Sequence, residues 1–230
     1  ELLIEYLCKI FPVQKSGQFI CPCLLIGLFI KPGILHSNGA YRLYGIEEND
    51  MDKLCQFIGP PLVEPLQEMY GFSEDEAIKA VAQYRVYYKD KGIFENKVYE
   101  GFEDVLKVLK KKGKKVLVAT SKPELFARRI MDYFHLTQYF DYVAGAGMDE
   151  RNGSKAAVIE HAFEECNITD KSQVLMVGDR KYDVNGAKKM GVDSMGVLYG
   201  FGSREELEEA GATYIVDTVK DLEEIFCEME

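Results

Sequence analysis

The 230-residue chain is 47% hydrophobic and 29% charged, the balance of a soluble globular protein with enough length to bury a sizeable core. A formal net charge of −10, with no long basic stripe, argues against nucleic acid as a partner. Its six cysteines and three histidines show no zinc-site spacing, so reduced thiols in a cytoplasmic protein are expected. Cys21 and Cys23 are the one close pair. The apolar run over 19–30 is shorter than the roughly 20 residues a bilayer span needs, and no clean cleavage site follows it. No membrane association is expected, and the acidic surface suits a monomer or a homodimer.

The N-terminal segment 1–32 shows no regular pattern beyond that run, which is long enough to supply a first core strand at 19–30. Residues 33–97 read as helical, with no clear strand. Asp50-Met51-Asp52 has the look of a solvated helix start. Gly59-Pro60-Pro61 separates two helices. Asp75 to Ile78, then Val81, Tyr84, Arg85 and Tyr88, fit a helix with an aromatic side.

From residue 98 to 230 short apolar strands alternate with amphipathic helices. Phe102, Val105, Leu106 and Leu109 recur at helical spacing, and Gly113 ends that helix. The lysines at 110, 111, 112, 114 and 115 form a solvated cap at its negative end. Residues 116–119 form a strand, Pro123 suits a first helical turn, and 125–134 read as helix. A strand at 142–144 precedes a helix whose apolar face is Ile159, Ala162, Phe163 and Cys166, with His161 as a structural residue. Next come a strand from Val174, a helix through Ala187 and Met190, and a strand at 195–198. Ser203 and Glu206 are placed to form a capping box, before a last strand at 214–216 and a last helix at 222–226. This alternation implies a parallel sheet covered on both faces.

Val174-Leu175-Met176-Val177-Gly178-Asp179-Arg180-Lys181-Tyr182-Asp183 is the most informative stretch. A buried strand turns at Gly178, and two carboxylates follow where open α/β sheets bind ligands. Asp179 and Asp183 suit a hard cation, most plausibly Mg²⁺. The plainer alternative makes Asp179 a turn cap and Asp183 a helix cap. Thr120, Ser121 and the backbone N–H groups after them are placed to hold a phosphate, or simply to cap a helix. Lys155, with Lys122 as its nearest competitor, is placed to neutralise a phosphoryl oxygen.

Taken in order, Thr120, Lys155, and Asp179 with Asp183 resemble the haloacid dehalogenase superfamily. Phe57 to Leu62, Tyr84 to Tyr88 and Ala119 to Pro123 are similar to its phosphoglycolate phosphatase and 5′-nucleotidase branch. The resemblance implies an α/β fold with a doubly wound (Rossmann-like), mostly parallel sheet and a small helical cap inserted after the first strand. It implies a phosphomonoesterase acting on a small phosphorylated metabolite with Mg²⁺. Asp179 and Asp183 would serve the metal, and Thr120, Ser121 and Lys155 the phosphate. Gly59, Pro60 and Arg85 would lie in the substrate-selecting cap, where Arg85 is equally suited to a structural pairing.

The family's nucleophile and acid/base pair lie in an Asp-x-Asp-Gly-Thr motif at the first strand, and this chain has no such motif. Counting back from the cap-like residues places it near Cys21, Pro22, Cys23, Leu24 and Leu25. Neither cysteine has a visible activating neighbour. The segment before about Gly33 is therefore altered relative to the family, by a frame error, a wrong start or divergence. The alternative function is a homologue that binds phosphate or metal without turnover.

Overall fold

The computed structural model describes residues 18–22, 50–148 and 153–229. The expectations for 1–17 and 23–49 lie outside the described residues. Among those described are six strands: β1 (Gln18–Pro22), β2 (Val116–Pro123), β3 (Tyr142–Ala146), β4 (Val174–Gly178), β5 (Asp193–Val197) and β6 (Tyr214–Val216). All pair in parallel, in the order β3-β2-β1-β4-β5-β6. The order reverses beside β1, so the crevice at the carboxyl ends of β1 and β4 is the switch point where such sheets hold ligands.

Among the described residues of the helical segment are α1 (Met51–Cys55), α2 (Val63–Tyr70) and α3 (Glu74–Tyr88). Then follow α4 (Phe102–Lys111), α5 (Glu124–Tyr133), α6 (Lys155–Glu165), α7 (Lys181–Met190), α8 (Arg204–Ala210) and α9 (Val219–Glu228). Local chemistry explains several starts. Asp50 caps α1, its Oδ1 accepting from the Asp52 N–H at 3.0 Å. Ser73 and Glu76 cap α3 reciprocally. α4 carries Glu103 and Asp104 in its first turn and Lys110 and Lys111 in its last, matching the helix dipole.

Strand residues alternate between two cores, one on each face of the sheet. Leu117, Ala119, Val174 and Met176 pack with Val158, Ile159, Ala162 and Ala187 of α6 and α7. Val116, Val118, Leu175 and Val177 face the other way, onto Leu106 of α4, Ile130 of α5 and Phe226 of α9. The second core continues into the inserted helices through Leu54, Leu66, Val81 and Tyr88. Both faces of β2 and β4 are thus covered, which is why these strands read as unbroken apolar runs.

β1 is described over Gln18–Pro22, with Pro22 level with Ala119 of β2, and the rest of the expected strand at 19–30 lies outside the described residues. Several local expectations need correction. β2 continues past Ala119 to Pro123, with an irregular register from Thr120, so Pro123 stands one residue before α5 rather than inside its first turn. The lysine run is not a simple solvated cap: Lys110 pairs with Asp141 at 2.9 Å, and Lys114 is buried. The capping box at α8 forms only in half. Ser203 accepts from the Glu206 N–H at 3.2 Å, but the Glu206 carboxylate goes to Arg180 and Lys181. A charged partner outcompetes one more backbone N–H.

Candidate active site

β4 ends at Gly178, and Asp179 follows, 1% exposed. Its Oδ2 accepts from the Phe201 N–H at 2.7 Å, while Oδ1 is buried without a hydrogen-bond partner. Two glycines make room for it: a Cβ at Gly200 would overlap the Asp179 side chain, and one at Gly202 its carbonyl. Burial, reinforced by the nearby Asp183 charge, pushes the Asp179 carboxyl up to about 7, against the pull of the Phe201 N–H, Arg180 and Lys155. Tyr99 forms part of this environment. Burial and the Asp179 charge raise its phenol to about 12, and its ring meets Tyr199 edge-on at 5.1 Å.

Asp183, in the first turn of α7, is 3% exposed. Its Oδ1 lies 2.9 Å from Lys155 Nζ, and its Oδ2 accepts from the Arg180 N–H at 3.1 Å. It is therefore both a helix cap and a buried ion-pair partner. Gly178 is required here, since a Cβ on it would overlap the Asp183 side chain. Lys155 opens α6, its Nζ also donating to the Ala119 carbonyl at 3.3 Å. A Cβ at Gly186 would come within 2.7 Å of the lysine stem. This lysine is held, buried and charged, between the ends of β2 and β4.

Thr120 is 1% exposed, and its Oγ1 accepts from the Lys122 N–H at 2.9 Å, within the irregular end of β2. Ser121 and Lys155 line a cleft of about 230 Å³ with Gly59 and Pro60 of the insertion and Tyr182 and Asn185 of α7. That volume lies below the roughly 300 Å³ at which pockets for drug-sized ligands begin, and suits a small metabolite. Arg85 is not among the cleft's lining residues; its Nη1 donates to the Met148 carbonyl at 2.5 Å, in the loop after β3. His161 meets the Tyr142 hydroxyl at 3.2 Å, a structural contact as expected.

Among the described residues, no group of three or more His, Cys, Asp or Glu side chains is placed to hold a metal. Asp183 has both oxygens engaged, which leaves Asp179 Oδ1 as the open carboxylate oxygen of the pair. Mg²⁺ is usually held by one or two carboxylates, with water and phosphate completing its shell, so Asp179 fits such an ion. Four residues of this site escaped the sequence reading: Tyr99, Gly200, Phe201 and Gly202. The one signal, for the last three, was Gly200-Phe201-Gly202 just beyond a strand, at the edge where the other candidates gather.

A family model of haloacid dehalogenase-like hydrolases matches residues 34–197, and the chain belongs to that family. It is 38% identical over 170 residues to a 5′-nucleotidase of Pseudomonas aeruginosa, covering 74% of this chain and 76% of that protein. It is 36% identical over 176 residues to the tyrosine-protein kinase PtkA of Mycobacterium tuberculosis, of which it spans 59%. A crystal structure of a predicted phosphatase from Clostridium acetobutylicum superposes with a TM-score of 0.85 at 42% identity, over 90% of this chain and 97% of that one. By family the chain is a phosphoric monoester hydrolase. Among the described residues no helix is long and apolar enough to cross a membrane.

Proposed function

We propose that this chain binds the phosphate of a small phosphorylated metabolite, phosphoglycolate- or nucleotide-like, and hydrolyses its monoester with Mg²⁺. The observation that carries this reading is the buried Lys155–Asp183 pair beside Asp179 Oδ1, an oxygen left without a protein donor. Lys155 and the end of β2 at Thr120 and Ser121 would hold the phosphoryl oxygens, so charge developing in the reaction meets fixed donors. Asp179 would hold the metal, which when bound polarises the phosphoryl group. Asp183 holds Lys155 in place. Gly59 and Pro60, from the inserted helices, would close the cleft and help select the leaving group, with Arg85 steadying the insertion through Met148.

A specific observation favours a second reading, binding without turnover. The first aspartate in the chain is Asp50, and that residue caps α1. Among the described residues the central strand β1, over Gln18–Pro22, holds no carboxylate.

The assay that tests the leading reading is Mg²⁺-dependent phosphate release from phosphoglycolate, nucleoside monophosphates and an aryl phosphate. The expected result is release that Asp179→Asn abolishes, because the open carboxylate proposed to hold the metal is gone. Release retained in that variant would overturn the assignment of Asp179. No release from a folded chain that binds Mg²⁺ would select the second reading.

A further inference from the structure

Arg180 follows Asp179 directly, is 7% exposed, and lies outside the proposed chemistry. Its guanidinium joins three parts of the chain. Nε donates to Glu206 Oε1 of α8 at 2.8 Å. Nη1 donates to the carbonyl of Cys55, the last residue of α1, at 3.1 Å, and to the carbonyl of Ile58 in the turn that follows. Both carbonyls lie at the end of α1 or just past it, where acceptors lack intrahelical donors; that of Cys55 also accepts from the Ile58 N–H at 3.1 Å. Glu206 Oε1 also accepts from the Lys181 N–H at 2.8 Å, which fixes the carboxylate against the start of α7. One residue beyond Ile58, Gly59 lies at φ +117°, where a Cβ would come within 2.9 Å of the Tyr182 ring. The turn before the cleft is thus seated closely on the segment that carries Asp179.

We propose that Arg180 is a positioning residue that seats the inserted helices on the sheet, and that Glu206 holds its guanidinium in reach of them. The chemistry suits arginine in particular. A planar fork serves a carboxylate on one edge and two carbonyls on another, and a lysine ammonium cannot span all three. Glu206 touches none of the inserted helices in these bonds, so its influence on them would pass through Arg180.

The test is hydrogen–deuterium exchange of the intact chain, which needs no turnover and stands apart from the proposed hydrolysis. In Arg180→Ala, amides over 54–62 should exchange roughly tenfold faster or more, the scale of losing a hydrogen bond to a charged group. Amides of β4 and β5 should be unchanged. Arg180→Lys should fall between the parent and Arg180→Ala. Glu206→Ala, on a helix remote in sequence, should speed exchange over the same 54–62 segment. If Arg180→Ala loosens the whole fold, Glu206→Ala decides. Unchanged exchange at 54–62 in a folded variant, or a rise shared equally by β4 and β5 in Glu206→Ala, would overturn the proposal.

Discussion

Lys155→Met is expected to destabilise the fold by about 3–5 kcal/mol, the cost of stripping one partner from a buried ion pair. Lys155 and Asp183 side chains are 7% and 4% exposed and 2.9 Å apart. Methionine keeps the aliphatic stem that packs at Gly186 but removes the ammonium. The Asp183 carboxylate would then stay buried with Asp179 as its near neighbour. In Lys155→Met/Asp183→Asn the stranded charge is gone, and Asn can still accept from the Arg180 N–H. The double variant should therefore lose less than the sum of the two single losses in urea unfolding. Equal values would show that the pair does not couple, contrary to the geometry.

The second large effect concerns Asp179 and pH. In the folded chain its carboxyl keeps a proton up to about 7, against an ordinary value of 3.8. Between those values the folded state binds a proton that the unfolded state has released, so stability falls as pH rises. The contribution is fully present below 3.8 and is lost as pH climbs through about 7. Each unit of separation is worth about 1.4 kcal/mol, so the loss by pH 8 amounts to a few kcal/mol. Asp179→Asn has no such proton to lose. Without divalent cations, it should be more stable than the parent at pH 8, and the advantage should shrink towards pH 5. Urea midpoints across that range measure it. Parallel pH profiles for the two proteins would contradict the account of Asp179 as a buried, poorly solvated carboxyl. Mg²⁺ bound at Asp179 would favour the charged form and restore stability to the parent alone.

Much of this site was legible from local pattern because local rules produce it. The apolar run from Val174 to Val177 had to be a buried strand, and Gly178 was readable as its end; that Gly178 also clears space for Asp183 emerges only from the fold. The Asp50 cap was readable from its own three-residue neighbourhood. For Asp183 the plain cap alternative is what the fold displays, since one oxygen serves the α7 start, while the other goes to Lys155 rather than standing open for a metal. What the sequence did not reveal depends on distant pairings. Glu206 looked like the partner of Ser203 because the spacing fits a capping box. Its carboxylate turns instead to an arginine 26 positions away. Gly200 and Gly202 acquire their role only through the fold, which brings Asp179 against them. The N-terminal anomaly was legible as a missing motif, and β1, described over Gln18–Pro22, still pairs with both neighbours.

Both functional readings share one claim, that Lys155 and Asp179 form the phosphate and metal site. Calorimetric titration of the full chain with inorganic phosphate in the presence of Mg²⁺ tests it most directly. The account predicts saturable binding that weakens sharply in Lys155→Met and loses its Mg²⁺ dependence in Asp179→Asn. Binding of equal strength in the parent and in a folded Lys155→Met, or no binding by the parent at all, would contradict it.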